Sequence, residues 1–240
     1  MRRLLAEKFE LGLFDERRYV DEDAAAAVVG RADLVAAGLR AQSRSVTVLR
    51  NARGGAARLP LAPGLRLYAE GVPDDAVAGF VRVPSPGEAD VALLRLEAPY
   101  EERGPGFESF FRAGSLEFPD DVVAHVGEVA AVVPTVVDVH LDRPAILTPL
   151  VAALPEGTAL PGGTATLVVT FGVGTPALLD ALTGALPPEG RLPFDLPRSA
   201  AAVEASRPDV PFDTADPVFR FGDGITLNLS LNVEEPSTST

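Results

Sequence analysis

Three groups of residues in this 240-residue sequence could do chemistry: carboxylates gathered after an apolar run, two histidines, and a glycine-rich turn. The carboxylates carry the most. Val91 to Leu96 is an apolar run of strand length that stops at Pro99 and passes into Tyr100-Glu101-Glu102-Arg103-Gly104-Pro105-Gly106, with Glu108 just beyond. A buried strand emptying into a Gly/Pro-rich loop is where open α/β sheets place their ligands. Carboxylates held there can move protons or bind a polar substrate. Taken singly, each of Glu101, Glu102 and Glu108 is more simply a solvated loop acid.

The other two groups are weaker. His125 and His140 lie in apolar stretches with no second His or Cys at ligand spacing, which argues for structural or surface roles and against a metal site. Gly172-Val173-Gly174-Thr175-Pro176-Ala177 satisfies the G-x-G-x-x-G/A dinucleotide pattern. It follows the sixth strand instead of the first, and Pro187-Pro188-Glu189-Gly190-Arg191 stands where a ribose-binding acid should come. The turn therefore reads as small residues capping a helix, and no cofactor is expected. With no cysteine there is neither thiolate chemistry nor a disulfide scaffold, and with no G-x-S-x-G elbow there is no sign of classical acyl transfer. Asp180, Glu189, Asp195, Glu204, Asp209 and Asp213 read as surface acids.

Composition narrows the partners. A formal charge of -13 repels a phosphate backbone or an anionic lipid surface, so neither nucleic acid nor membrane is expected. The hydrophobic fraction of 47% against 23% charged is that of a folded globular chain, and 240 residues suffice for one large α/β domain with a short extension. Arg2 and Arg3 precede Leu4-Leu5-Ala6, but Glu7, Lys8 and Glu10 interrupt any apolar centre. No export signal is visible, and a cytoplasmic location is expected.

The elements that must position the loop follow from periodicity. Leu4, Leu5, Phe9 and Leu13 predict an uncapped helix over 2–13, and Asp21-Glu22-Asp23 opens a helical pattern through Ala41 that Gly30 and Gly38 tend to divide. Strands are predicted over 45–49, 65–69, 80–83, 90–96, 135–141 and 165–171, with helices over 119–132, 142–154 and 175–182 between the later ones. A short helix is expected at Pro73-Asp74-Asp75. Residues 187–217, dense in proline, read as an ordered coil, followed by terminal strand segments at 219–222 and 225–231. Strands alternating with helices imply an α/β fold: a three-layer sandwich whose six-stranded, largely parallel sheet carries helices on both faces.

A set of segments, in order, resembles glycoside hydrolase family 3. They are Leu4-Leu5-Ala6-Glu7-Lys8-Phe9-Glu10-Leu11-Gly12-Leu13-Phe14, Tyr19-Val20-Asp21, Ser45-Val46-Thr47-Val48-Leu49-Arg50-Asn51 and Leu59-Pro60-Leu61. Pro188-Glu189-Gly190-Arg191-Leu192-Pro193-Phe194 and Phe219-Arg220-Phe221-Gly222-Asp223-Gly224 complete it. The resemblance is to the linker and second domain of the β-glucosidase type enzymes. It implies linker helices at 1–44 and the α/β-sandwich domain at 45–232, and the polar composition of 233–240 reads as a frayed tail. The resemblance also implies a β-glucoside or short β-glucan as substrate, hydrolysed once a barrel-bearing chain or domain supplies the aspartate nucleophile, because no aspartate here matches that residue's surroundings. Glu97-Ala98-Pro99-Tyr100-Glu101-Glu102 is similar to the E-x-P-Y-x-E segment of some members, which places the general acid/base on Glu102, with Glu101 and Glu108 as fallbacks. Asp223 departs from the histidine of many relatives. Two other expectations stand beside it: a non-catalytic carbohydrate-binding or interaction module, and an inactive truncated gene product.

Overall fold

The computed structural model describes residues 1–15, 21–53, 55–77, 79–155, 164–207, 209–210 and 212–227. The chain divides into two compact units, residues 1–38 and 39–240. In the first, α1 (Arg2–Glu10) starts at Met1 without a side-chain cap and ends ahead of Gly12, short of the predicted residue 13. Its Leu4 and Phe9 are exposed. Asp21 caps α2 (Glu22–Val28) by accepting the Ala24 N–H at 2.9 Å. Gly30 at φ 75° then separates α2 from α3 (Ala32–Ser45).

The end of α3 is bonded to the turn and helix around Gly174 and Ala177 in the second unit. Ser43 Oγ donates to the Ala177 carbonyl at 2.9 Å, and Gln42 Oε1 accepts the Gly174 N–H at 2.8 Å.

The second unit is built on a six-stranded sheet in the order β1-β6-β5-β4-β2-β3. The strands are β1 (Thr47–Arg50), β2 (Arg66–Glu70), β3 (Val81–Arg82), β4 (Val91–Glu97), β5 (Thr135–His140) and β6 (Ala165–Thr170). All neighbours run parallel except β1, which lies antiparallel to β6. Val136, Val137, Val139, Leu167, Val168 and Val169 are buried in turn on successive residues, as a sheet covered on both faces requires. One face packs under α4 (Asp120–Val132) and α5 (Thr148–Ala153), through Val126, Val129 and Leu150. The other packs under α6 (Thr175–Thr183), through Leu178 and Leu182, with Leu59 and Leu61 beside them. The short helix at Asp74–Ala76 is a 3-10 turn.

Two expectations are corrected. Asp142-Arg143-Pro144 does not open a helix; α5 starts at Thr148, because the buried Ala145 and Ile146 lead into it, Ile146 bridging to Glu117, and the chain turns helical only at the buried Leu147. Residues 187–217 are not all coil. They contain β7 (Leu196–Pro197) and α7 (Ala200–Ala205), the latter capped by Ser199 Oγ, which accepts the Ala202 N–H at 3.2 Å. The terminal strand is β8 (Pro217–Phe219), antiparallel to β7 and not part of the main sheet. Residues 228–231 and the tail at 233–240 lie outside the described residues.

The Pro188–Phe194 segment packs along β1. Glu189 and Gly190 donate main-chain N–H groups to the Arg44 and Val46 carbonyls at 3.0 and 3.1 Å. A Cβ on Gly190 would sit 2.4 Å from the Ser45 carbonyl oxygen, so only glycine lets the two backbones approach this closely. Asp223, the residue that departs from the family pattern, closes a local turn: its Oδ2 accepts the Arg220 N–H at 2.8 Å.

Candidate active site

β4 and β5 are in register with Arg95 opposite Asp138 and Glu97 opposite His140. Side chains two apart on a strand share a face, so these pairs form an inner and an outer rung on the α6 side. The inner rung is sealed. Asp138 is fully buried, and Arg95 Nε lies 3.1 Å from its Oδ2. Neither Asp138 oxygen is aligned for a hydrogen bond. Burial pushes the Asp138 carboxyl up to about 7, with the Arg95 charge pulling the other way. Arg95 also donates Nη1 to Thr175 Oγ1 at 3.1 Å and Nη2 to the Val173 carbonyl. The mouth of α6, where the dinucleotide-like turn would cradle a phosphate, is therefore filled by the chain's own Arg95 and Gln42.

The outer rung opens into the loop. Glu97 Oε1 lies 3.6 Å from His140 Nδ1, and Glu97 Oε2 accepts Arg112 Nη1 at 3.2 Å. Arg112 Nε also meets Asp142 Oδ2 at 2.9 Å, and its guanidinium carbon lies 4.5 Å from the Tyr100 ring centroid. The hydrogen bond to Glu97 raises the Arg112 pKa above its ordinary range. Sequence reasoning did not find this network, because Arg112 follows Glu97 with no periodicity that pairs them. The available signal was the charged Asp142-Arg143 pair after β5. Those side chains serve the loop: Arg143 Nη2 donates to the Gly114 carbonyl at 2.9 Å.

The two limbs of the loop are pinned at one neck. The Glu101 N–H donates to the Ala113 carbonyl at 2.9 Å, and Glu101 Oε1 accepts the Ser115 N–H at 3.0 Å. Glu101 lies over Gly114, whose φ is 85°, and a Cβ there would come within 2.3 Å of the Glu101 carboxyl carbon. Glu101 is thus engaged in holding the loop shut. Glu102, the next residue, is exposed and has no hydrogen bond or ion pair among the described residues. It lines a concavity of about 440 Å³ with Tyr100, Glu101, Arg103, Pro105 and Phe111. Glu108 lies on a 3-10 turn, Phe107–Phe110, and its side chain is outside the described part of the structure. A second concavity of about 310 Å³, lined by Glu97, Tyr100 and Glu117, adjoins the neck. Another, of about 290 Å³ beside Arg50 and Ala165, lies at the opposite end of the sheet from these carboxylates.

The histidines sit apart from each other. His140 is on the outer rung, whereas His125 on α4 places Nε2 2.9 Å from both carboxylate oxygens of Glu70, which also accepts the Tyr68 hydroxyl. That hydrogen bond raises the Tyr68 pKa. Among the described residues, no group of three or more His, Cys, Asp or Glu is placed to hold a metal ion.

A pinned, carboxylate-bearing loop thus stands at the C-terminal end of a doubly covered, largely parallel sheet, the layout of an α/β-sandwich domain. No protein-family model matches the chain. It is 42% identical to the probable β-glucosidase C of Aspergillus flavus over 228 residues, covering 94% of this chain and 34% of that protein. The identity to a periplasmic β-glucosidase/β-xylosidase of Dickeya chrysanthemi is 38% over 229 residues, covering 93% of this chain and 33% of that protein. In structure it is similar to the β-glucosidase of Listeria innocua solved with isofagomine, at a TM-score of 0.66, 18% identity and 93% coverage of this chain against 38% of that one. A β-glucosidase involved in saponin metabolism from intestinal bacteria gives the same TM-score, 0.66, over 93% of this chain and 42% of that one. The chain is similar over nearly its whole length to the C-terminal α/β-sandwich domain of glycoside hydrolase family 3 β-glucosidases. It spans about a third of the length of the curated relatives it matches. Among the described residues, no helix is long and apolar enough to cross a membrane.

Proposed function

We propose that the chain is the proton-donating half of a β-glucosidase, and that Glu102 is its general acid/base. Joined to a barrel that carries the aspartate nucleophile, it would hydrolyse β-glucosides or short β-glucans. Retaining glycosidases need two carboxylates about 5 Å apart, one attacking the anomeric carbon and one protonating the leaving oxygen and then activating water. The observation that carries the reading is the contrast between neighbours lining one concavity: Glu101 is bonded at the loop neck, while Glu102 has no partner among the described residues. Support also comes from relatives named β-glucosidases over 93–94% of this chain.

The test is glucose release from cellobiose by the chain assembled with a family 3 barrel, beside a Glu102→Gln version. Loss of a general acid costs about 10²- to 10⁴-fold, and that loss is expected on cellobiose. An aryl glucoside with a good leaving group needs little protonation and should lose far less in its glycosylation step. Equal cellobiose turnover by the two versions would overturn the reading.

A further inference from the structure

We propose that Arg112 is the positioning residue for Glu102, an inference that rests on the acid/base reading above. The fold places Arg112 on the returning limb of the loop, ten residues after Glu102 in the sequence and immediately before Ala113, whose carbonyl closes the neck. One guanidinium holds three separate parts of the site. It bonds Glu97 at the end of β4, pairs with Asp142 just past β5, and covers the ring of Tyr100, two residues before Glu102. A planar five-donor fork can engage two carboxylates and an aromatic face together, which a lysine ammonium cannot do with the same geometry.

Without Arg112, Glu97 and Asp142 become two carboxylates at the strand ends that have lost the guanidinium bridging them. Tyr100 loses the cation over its ring. The neck would survive, since the Glu101–Ala113 and Glu101–Ser115 hydrogen bonds do not involve the guanidinium. The expected defect is therefore local: the limb carrying Glu102 is released from the ends of β4 and β5 while the sheet stays intact. Misplacing a reacting group by about 1 Å can cost about 10²-fold in rate.

Two measurements test this. On the chain itself, backbone order parameters from ¹⁵N relaxation at Tyr100 and Glu102 should fall from about 0.85 to below about 0.6 in Arg112→Met, with Glu101, held by the neck, and β4 and β5 unchanged. Arg112→Lys, which keeps charge but not the fork, should fall between. In the assembly with a barrel, Arg112→Met should lose about 10- to 100-fold on cellobiose while keeping most of its activity on the aryl glucoside. Unchanged order parameters overturn the proposal, as does an equal loss on both substrates, which marks a general structural defect. If Glu102→Gln is neutral on cellobiose, the acid/base reading fails first. If Glu102→Gln is severe and Arg112→Met is neutral, only the positioning role fails.

Discussion

Two strands of one sheet, β4 and β6, end at the same edge in glycine-containing segments, yet one end is open and the other plugged. After β6, the Gly172–Ala177 turn has the better sequence motif, but Arg95 and Gln42 occupy the mouth of α6 from within. After β4 there is no nucleotide motif, only a loop tied at its neck that holds Glu102 out beside a concavity. A glycine pattern describes how closely a backbone can be approached. It does not say what approaches it, and here the visitor is the protein's own guanidinium.

The comparison can be broken hardest at the plug. Arg95→Met leaves Asp138 buried without its cation, and breaking a buried pair by removing one partner costs about 3–5 kcal/mol. The loss should be full near pH 8 and much reduced near pH 5, where Asp138 takes up a proton; denaturant midpoints at the two pH values measure it. Stability at pH 5 and pH 8 differing equally in the variant and the original would refute the assignment.

Asp138→Asn sharpens the same point with a smaller effect. An acid whose folded pKa lies above its unfolded value binds its proton more tightly when folded, so stability falls as pH rises through that interval. For Asp138 the interval runs from the ordinary aspartate value of 3.8 to about 7. The native chain should therefore lose about 2 kcal/mol between pH 5 and pH 7 through this group, and Asp138→Asn should remove that slope. A slope unchanged by the substitution would place its origin elsewhere.

The smallest change acts on the open end. Gly114→Ala sets a side chain at φ 85° against the Glu101 carboxylate, which should cost about 1 kcal/mol or somewhat more. Calorimetry should record the loss, and amide exchange at Ser115 should quicken as its bond to Glu101 is displaced. A stable Gly114→Ala chain with Ser115 still protected would show that the neck is not built as described.

Much of this architecture is legible in the sequence because it is local. Pro99 ends β4, Asp120 and Asp121 open α4, and Gly184 at φ 78° ends α6. The misreadings come where distant contacts override local signals. Asp142-Arg143-Pro144 has a cap and a proline in helix-starting order, but both charged side chains are taken by the loop from β4. Ser199 is a sound helix cap that the surrounding prolines obscured. The division of labour between Glu101 and Glu102 was not legible, because it depends on Gly114, Ala113 and Ser115 returning from a dozen residues away. Arg112 was hidden for the same reason.

The packing of residues 189–190 and 225 along β1 has a further consequence. An edge strand with free carbonyls and amides is a template for another chain. Here the Val46 and Val48 carbonyls are capped by Gly190 and Ile225, the latter at 2.7 Å, and the far edge, β3, is only two residues long. The sheet thus offers little to a growing cross-β assembly, and mutations that loosen the stretch from Pro188 to Gly224 would act first as aggregation mutations.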